Sequence, residues 1–268
     1  MTDVTKIREG RTAEIYTWED EIMIKVFREN IPIAAIYHEF TIHQKIKELS
    51  LPIPKVYGIS DFKGKKGIIY ERIEGSTITQ AITKNPFTMK KHAILMARLH
   101  LDMHKIDGQE LPLQKETLKE NITLAPLLDK HTKNKIIRYV DSLPEGSQVC
   151  HGDFHPDNIL LSPQGPVIID WITAISGNPF ADVARTSLML QYASLPLEIP
   201  GWAQIIIKTL RQKFCQDYIM YYLYQAKGSL MNVREWELPI AAARLSEKIP
   251  DTEKEKLLLH IHQLLSIL

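Results

Sequence analysis

Two short segments of the sequence carry carboxylate and amide side chains at spacings that suit one kind of chemistry. The first contains Asp153 and, five positions later, Asn158; the second ends an apolar run at Asp170. Transfer of a phosphoryl group from a magnesium nucleotide needs oxygen ligands for the metal and one carboxylate aimed at the attacking hydroxyl. Mg²⁺ prefers such hard oxygen donors. The residue types therefore predict phosphoryl transfer, with Asp153 as the base and with Asn158 and Asp170 as magnesium ligands.

The residues between these positions predict a hairpin. Residues 159–161 and 166–169 are apolar runs, and Ser-Pro-Gln-Gly at 162–165 is a turn sequence,. Asn158 and Asp170 would then flank the hairpin. A single Asp or Asn at such a place is ordinarily a turn residue, because these side chains bond to nearby backbone groups. The combined pattern, with an apolar strand that ends in Asp170, favours the catalytic interpretation.

The same segments carry a resemblance to a known family. His-Gly-Asp at 151–153 with Asn158, followed by Ile-Asp-Trp at 169–171, parallels the H-R-D-x-x-x-x-N and D-F-G segments of protein kinases,. With Leu-His at 99–100 and the run 178–184, the pattern resembles the aminoglycoside phosphotransferase family and its relatives, the choline and homoserine kinases. The resemblance covers most of the chain. It implies an α+β, two-lobed protein kinase-like fold, with a small antiparallel-sheet N-lobe that carries one helix and a larger, mostly helical C-lobe.

A kinase also needs a lysine for the phosphates and an acid that holds it. Residues 21–27 read as a strand that is apolar on both faces, so Lys25 is a charge in a buried run,. Residues 33–49 have helical spacing, and Glu39 interrupts the apolar stripe of that helix,. We predict that Lys25 and Glu39 pair at the nucleotide, because isolated buried charges are costly. The alternative is that Lys25 reaches solvent from a sheet edge and Glu39 is solvated.

The segment before this strand is the candidate phosphate-covering loop. It has one glycine where the kinase pattern G-x-G-x-x-G offers three,. Gly10, Arg11 and Thr12 are predicted to offer backbone and hydroxyl donors to the phosphates. The alternative is a plain hairpin turn between residues 6–8 and 14–16.

Breaks in the pattern predict the domain organisation. Residues 1–72 would form the N-lobe with its nucleotide-binding sheet and helix, 73–76 the hinge, and 77–268 the helical C-lobe with the catalytic loop and substrate site,. In the resembled fold, adenine bonds to the hinge backbone. By that analogy alone, the candidate adenine contacts are Glu71, Arg72 and Ile73.

The remaining sequence is predicted to be mainly helical. Apolar residues at helical spacing predict helices within 88–104, 118–124, 134–140, 181–192, 202–226, 232–248 and 251–268,. The helix at 202–226 is apolar on most sides, so we expect it to be central to the C-lobe. We find no internal repeat and no low-complexity tract.

The phosphate acceptor is predicted to be a small molecule. Eleven residues separate Asp170 from Asp182, which leaves little room for a segment that docks a peptide,. Acids beside indoles would suit an ammonium group, as in an aminoglycoside or an amino alcohol such as choline. The candidate substrate residues are His155, Asp182, Glu198, Trp202, Glu235 and Trp236. The alternative is that Trp236 is a core residue and the acids belong to a solvated helix face.

Ten histidines raise the question of zinc. His100 and His104 stand four apart on a predicted helix, but Leu101 occupies the place where a zinc protease has glutamate,. We therefore expect these two residues to pack or hydrogen-bond instead. His151 is expected to brace the catalytic loop, and His155 to contact phosphate or substrate.

Composition agrees with a single compact kinase and excludes some other classes. The chain has 268 residues, 33 Lys plus Arg, 32 Asp plus Glu and a net charge of +1, which indicates neither nucleic acid nor an anionic membrane as a partner,. No signal-peptide pattern opens the sequence, and Cys150 and Cys215 form no C-x-x-C motif, so we expect a cytoplasmic protein with Cys150 as a packing residue,.

The prediction is a phosphotransferase that moves the γ-phosphate of ATP or GTP, with Mg²⁺, to a hydroxyl of a small molecule. One alternative is a pseudokinase-like module that binds nucleotide without transfer, and another is a protein kinase of the same fold. The intact set Lys25, Glu39, Asp153, Asn158 and Asp170 argues against the first alternative. The sequence leaves oligomeric state undetermined.

Overall fold

The computed structural model describes residues 4–10, 12–19, 21–195 and 199–267. Contacts divide the chain into two compact units. The sheet unit comprises Met1–Lys84 and Pro156–Thr173, and the helical unit comprises Asn85–His155 and Ala174–Leu268. This division differs from the predicted one, because the first unit extends through residue 84 and takes in the segment 156–173.

The elements follow one another along the chain in an order that begins with strands. The first half contains β1 (Lys6–Glu9), β2 (Ala13–Glu19), β3 (Ile22–Phe27), α1 (Ile33–Ile46), β4 (Val56–Phe62), β5 (Lys65–Glu71), β6 (Ser76–Thr77), α2 (Ile78–Lys84), α3 (Met89–Met103), α4 (Gln114–Leu124) and α5 (Lys130–Ser142). The second half contains β7 (Gln148–Cys150), β8 (Ile159–Ser162), β9 (Gly165–Ile168), β10 (Ile175–Gly177), α6 (Pro179–Tyr192), α7 (Gly201–Ala226), α8 (Leu230–Arg234), α9 (Glu237–Arg244) and α10 (Asp251–Leu265).

The sheet unit is built around a five-stranded antiparallel sheet with the order β1-β2-β3-β5-β4. Strand β3 alternates between two apolar clusters, because successive side chains of a strand point to opposite faces. Ile24 and Val26 pack with Phe62, whereas Phe27 packs with Ile36 of α1. Both faces of β3 are therefore covered, as the sequence predicts, and α1 covers the face that carries Lys25 and Phe27.

The predicted hairpin is present as β8 and β9, and it belongs to the sheet unit. Strand β6 pairs with β8 through Ser76↔Leu161 and Thr77↔Leu160, which makes a three-stranded sheet in the order β6-β8-β9. A side chain at Gly75 would place its Cβ 2.5 Å from the carbonyl oxygen of Leu161, so only glycine permits this approach,. The predicted hinge 73–76 thus ends inside a paired strand, which explains why the first unit extends beyond it.

The helical unit has its core where α9 meets its neighbours. Leu238 and Ile240 of α9 are almost fully buried, and so is Trp236 just before it. The prediction of a single helix at 232–248 is wrong, because α8 and α9 are separate helices. Pro239 explains the break, because in a continuous helix its ring would clash with the carbonyl of Glu235. In the first turn of α9 it is tolerated.

Helix α7 differs from its prediction in the first half. Trp202 and Ile205 are 69% and 65% exposed, whereas Tyr218 and Tyr222 further along are buried. Only the second half of α7 is therefore central to the unit. In the part of the chain that the structure describes, no helix combines the length and apolar character needed to cross a membrane.

A buried ion pair links α9 to α10. Arg244 Nη2 lies 2.5 Å from Glu253 Oε1, and the two side chains are 5% and 6% exposed. Removal of one partner from such a pair leaves an uncompensated buried charge. This contact should therefore contribute far more to stability than an exposed pair does.

We expect Glu253→Gln to lower the free energy of unfolding by about 3 kcal/mol, because it removes the buried carboxylate of this pair and leaves Arg244 only Glu247, whose Oε2 lies 3.3 Å from Nη1,. The matched control is Asp102→Asn, which removes an exposed pair with Lys105 at 2.7 Å and should cost less than about 1 kcal/mol. Urea titrations of both variants measure the two losses. Equal losses would show that burial of the pair does not matter.

Candidate active site

Lys25, Glu39 and Asp170 come together within the sheet unit. The Lys25 Nζ of β3 lies 2.7 Å from Glu39 Oε1 of α1 and 3.2 Å from Asp170 Oδ1, which follows β9. The exposed fractions of the three side chains are 16%, 4% and 40%. The pair inferred from the sequence is therefore in contact, and Asp170, 145 positions along the chain from Lys25, joins it.

The charges in this cluster support one another. Burial alone would lower the pKa of Lys25, but Asp170 and Glu39 outweigh it and raise that pKa, so the ammonium group stays charged,. The Tyr70 hydroxyl donates a hydrogen bond of 3.0 Å to the same Glu39 oxygen. Burial, followed by the neighbouring Glu39, raises the pKa of Tyr70 well above its usual range, so this hydroxyl keeps its proton. Glu39 Oε1 thus accepts hydrogen bonds from two donors, Lys25 and Tyr70.

Asp170 reaches Lys25 through an unusual backbone turn. Its φ is +66°, in the left-handed region that non-glycine residues seldom adopt,. The next residue, Trp171, is 1% exposed, and its indole N–H donates 3.0 Å to the carbonyl of Ile168. The buried indole anchors the chain on both sides of Asp170. Strain of this kind is typical of functional sites.

Asn158 lies at the same end of the hairpin as Asp170. It ends a short turn, Pro156–Asn158, and is 7% exposed. Its carbonyl accepts a 3.0 Å hydrogen bond from the N–H of Ile169, next to Asp170. An amide and a carboxylate at one end of a hairpin are hard oxygen donors, so these residues fit a Mg²⁺ ion that takes its other ligands from phosphate and water.

Asp153 lies in the loop after β7, in the helical unit. Its side chain is 33% exposed, and its Oδ2 lies 3.5 Å from His155 Nε2. Burial raises the pKa of this carboxyl, but the hydrogen bond from His155 and the nearby Arg185 prevail and lower it, so Asp153 is ionised at neutral pH. The N–H of Asp153 donates 3.1 Å to His151 Nδ1. His151 therefore braces the loop, as expected.

Helix α6 holds the backbone of this loop. Asp182 accepts hydrogen bonds from the N–H groups of His151 at 2.6 Å and of Gly152 at 3.0 Å. Arg185 donates from its Nε to the carbonyl of Gly152 and from Nη1 to Glu247 at 2.7 Å. Both polar groups of the Gly152 peptide backbone are therefore fixed by one helix.

The predicted substrate residues lie in different environments. Asp182 is 2% exposed and bonded to the loop, and Trp236 is 1% exposed in the core. Because both side chains are buried, the prediction that they contact substrate is wrong for each. Trp202 is exposed on α7, Glu235 is half-buried before α9, and Glu198 lies outside the described residues. For Trp236 the alternative of a core residue is the right one.

The predicted nucleotide contacts lie at two places in the sheet unit, the first hairpin and the segment near the hinge. The N–H of Gly10 donates 2.8 Å to the carbonyl of Ala13, and the carbonyl of Thr12 accepts from the N–H of Arg28. Arg11 lies outside the described residues. Beside the hinge, the N–H groups of Glu71 and Arg72 donate to the carbonyls of Lys55 and Glu21. Ile73 follows them beyond the end of β5.

Sequence reasoning missed Tyr70 and Arg185. Tyr70 looks like one more apolar residue of a strand, and only the three-dimensional approach of Glu39 reveals its hydrogen bond. Arg185 did carry a signal, because it lies three residues after Asp182 and hence on the same side of α6.

Solved structures of phosphotransferases are similar along nearly the whole chain. A thermostable variant of aminoglycoside phosphotransferase APH(4)-Ia, in a ternary complex with ADP and hygromycin B, has a TM-score of 0.69 at 15% identity, covering 98% of this chain and 92% of that one. Amicoumacin kinase hAmiN, in complex with AMP-PNP, Ca²⁺ and Ami, has a TM-score of 0.61 at 12% identity, covering 97% and 87%. These likenesses confirm the predicted protein kinase-like fold.

Sequence comparison gives the family. A mouse (Mus musculus) protein, acyl-CoA dehydrogenase family member 10, is 25% identical in an alignment of 177 residues that covers 58% of this chain and 17% of that protein. The chain thus spans about a sixth of the length of this relative. The model of the phosphotransferase enzyme family matches residues 3–205. The chain belongs to the phosphotransferase enzyme family.

Proposed function

We propose that the protein transfers the γ-phosphate of ATP or GTP to a hydroxyl group of a small molecule, such as an aminoglycoside or an amino alcohol. The observation that carries this proposal is the contact of Lys25 with both Glu39 and Asp170. A lysine held by a helix glutamate, beside the acid that follows the hairpin, is the arrangement by which kinases bind nucleotide phosphates. Family membership agrees with it.

The nucleotide would be bound by groups of the sheet unit. Lys25 is a permanent cation that would offset the charge of the phosphate oxygens. Asn158 and Asp170 would hold Mg²⁺, which when bound neutralises further charge on the phosphates. Ile73 is the proposed backbone contact for adenine, since the N–H groups of Glu71 and Arg72 are engaged within the unit. Gly10 and Thr12 would lie over the phosphates.

Asp153 would act on the acceptor. Its low pKa keeps the carboxylate ionised, so it orients the acceptor hydroxyl by accepting its hydrogen bond,. Phosphoryl transfer has a loose transition state in most analyses, in which positioning contributes more than strong basicity. A weakly basic carboxylate fixed by its backbone is suited to this role. It would take the hydroxyl proton as the new O–P bond forms, while the bond from the γ-phosphorus to the bridging oxygen breaks and ADP or GDP leaves. His155 is a proposed further contact for phosphate or substrate.

The region after Asp170 favours a small acceptor over a peptide. A short helical turn occupies Trp171–Thr173, β10 begins at Ile175, and α6 begins at Pro179. Regular structure thus fills most of the interval between Asp170 and Asp182. This leaves no long loop there that could dock a protein substrate. Trp202 and Glu235 remain the proposed substrate residues.

The acceptor can be found by a screen of nucleotide consumption. ADP or GDP formation would be measured with ATP and GTP across aminoglycosides, choline, ethanolamine, homoserine and sugars. A strong increase with one hydroxylated class supports transfer. Tight nucleotide binding without any acceptor-dependent turnover would support the alternative of a binding module.

We expect Asp153→Asn to lower kcat by about 10²–10⁴, the usual loss for a general base. Affinity for ATP should be kept, because the substitution preserves size and lies outside the sheet unit. The matched control, Asp107→Asn, changes an exposed aspartate of the helical unit and should leave kcat unchanged. Steady-state kinetics with the acceptor found above, together with calorimetric ATP titration, measure both quantities. Wild-type turnover in Asp153→Asn would remove this residue from the mechanism.

Lys25→Met should lower kcat by about 10²–10³, the usual loss when one charge-stabilising group is removed from an active site. The methionine side chain is unbranched like that of lysine and only one atom shorter, but it offers no charge to the phosphates. Lys66→Met is the control, because Lys66 lies on the same sheet and pairs with Asp61 at 2.8 Å in an exposed position. Circular dichroism checks that both variants are folded. Similar kinetics for the two variants would contradict the role of Lys25.

Asp170→Asn should raise the Mg²⁺ concentration required for half-maximal turnover by about tenfold or more, equivalent to about 1.4 kcal/mol of lost metal affinity. Asp157→Asn is the matched control, since its carboxylate lies beside Asn158 but accepts a hydrogen bond of 3.3 Å from Thr77. Turnover is titrated with Mg²⁺ at saturating ATP. If the Mg²⁺ requirement rises in Asp157→Asn and not in Asp170→Asn, Asp157 and not Asp170 holds the metal.

A further inference from the structure

A cluster of polar side chains lies buried beneath the catalytic loop, where three helices of the helical unit meet. His100 and His104 come from the end of α3, Tyr218 and Tyr222 from α7, and Asp182 from α6. Each is at most 7% exposed. Buried polar groups are retained only where they are hydrogen-bonded. Neither proton transfer nor nucleotide binding as described above uses the histidines or the tyrosines.

The cluster consists of two parallel chains of hydrogen bonds. The Tyr218 hydroxyl lies 2.6 Å from His100 Nδ1, and the Tyr222 hydroxyl lies 2.6 Å from His104 Nδ1. On the other side of each ring, Nε2 lies 3.0 Å from Asp182 Oδ2 for His100 and 3.4 Å for His104. Both chains thus run from a tyrosine through a histidine to one carboxylate.

The chemistry of the groups fixes where the protons lie. Burial, and then the neighbouring His104, lower the pKa of His100 to about 3, so its ring is neutral. A neutral imidazole has one donor and one acceptor nitrogen. Asp182 only accepts, since its pKa lies well below the usual range: its burial is outweighed by bonds from His100 and His104. His100 Nε2 therefore carries the proton, and its Nδ1 accepts from the tyrosine hydroxyl.

Asp182 is also the residue that fixes the catalytic loop. Its two oxygens accept from the N–H groups of His151 and Gly152, and the next residue is Asp153. The His100 ring packs on Phe154 of the same loop, with ring centroids 4.2 Å apart. The two histidines therefore orient the Asp182 carboxylate, and this carboxylate in turn holds the backbone of the loop.

A metal ion is the competing interpretation. One ring nitrogen of each histidine and one Asp182 oxygen lie within 4.8 Å of one another, which is close enough for a shared ion. However, zinc would require both Nε2 atoms to be unprotonated. Asp182 is already engaged by two backbone N–H groups as well. The geometry therefore favours hydrogen bonds over a metal.

We propose that Tyr218 and Tyr222 act as positioning residues: by donating to His100 and His104 they fix the tautomers that orient Asp182 and, through it, the loop that carries Asp153. This inference rests on the proposed function, because the effect is on phosphoryl transfer. It predicts a loss in kcat with little change in KM for ATP, since the proposed nucleotide contacts lie in the sheet unit. A residue that merely stabilised the fold would not separate these two constants.

The first test compares two removals of a hydroxyl from the same helix. Tyr218→Phe should lower kcat about tenfold, the loss expected when a buried acceptor loses its donor. The matched control is Tyr221→Phe, whose hydroxyl accepts a 2.8 Å hydrogen bond from Arg98 of α3 but has no connection to Asp182. The control should retain the wild-type kcat. Equal kcat values for the two variants, or a loss confined to KM for ATP, would overturn the proposal.

The second test separates the roles of the two ring nitrogens of His100. His100→Gln places an amide near the position of Nε2, where it can donate to Asp182, whereas His100→Asn reaches only the position of Nδ1. We expect the Gln variant to retain clearly more kcat than the Asn variant. The reverse order would contradict the proposal. Thermal melting identifies any variant that fails to fold, and the Tyr218 comparison then decides.

A third readout does not depend on turnover. Two-bond ¹H–¹⁵N spectra of histidine-labelled protein should show His100 protonated at Nε2 in the wild type, with that signature weakened in Tyr218→Phe but not in Tyr221→Phe. Protonation at Nδ1, or stoichiometric zinc in the purified protein by elemental analysis, would overturn the proposal. An inactive wild type with the expected tautomer would instead count against the proposed function, so the two failures are distinguishable.

Discussion

The cost of burying a charge governs the sheet unit. Lys25 lies on an inner strand with 16% of its side chain exposed, and its charge is tolerated only because two carboxylates meet it,. Glu39 needs the lysine for the same reason. This mutual requirement favours the position of β3 in which Lys25 faces Glu39 of α1. It also favours the approach of Asp170, the acid that follows β9, to Lys25. The backbone of Asp170 adopts its left-handed conformation in the same place.

A second constraint governs the loop that carries Asp153. The loop has few regular backbone hydrogen bonds, so its N–H and C=O groups need other partners. Asp182 and Arg185 supply them from one helix, with opposite charges for opposite backbone groups. The loop is thus held by two ionised side chains. Asp182 accepts a hydrogen bond from the neutral His100 ring, and Arg185 pairs with Glu247. A carboxylate presented this way keeps its orientation without losing its exposure to an acceptor.

Much of this arrangement follows from local sequence. Strand β3, α1 and the β8–β9 hairpin are marked by apolar periodicity and turn residues, and Lys25 and Glu39 stand out because they interrupt apolar patterns. Tyr70, Tyr218 and Tyr222 do not stand out, because a tyrosine in an apolar stripe looks the same whether or not its hydroxyl has a partner. Their partners are distant in sequence, so only tertiary structure brings them together.

The errors have physical causes too. The first half of α7 is apolar yet exposed, which composition alone does not reveal. Trp236 stands beside acids in the sequence, which suggests a binding site, but the structure buries this large side chain in the core. Asp182 is one of the acids in the predicted substrate set, whereas on α6 it points inward to the loop. In each case the sequence indicates the residue type that a site needs but not the direction in which the side chain points.

A crystal structure with Mg²⁺ and a non-hydrolysable ATP analogue tests the central claim most directly. The account predicts Lys25 Nζ at about 2.7–2.9 Å from a phosphate oxygen. It also predicts Asn158 and Asp170 oxygens at about 2.0–2.1 Å from the metal. A nucleotide bound away from Lys25, or a metal held by other side chains, would contradict it.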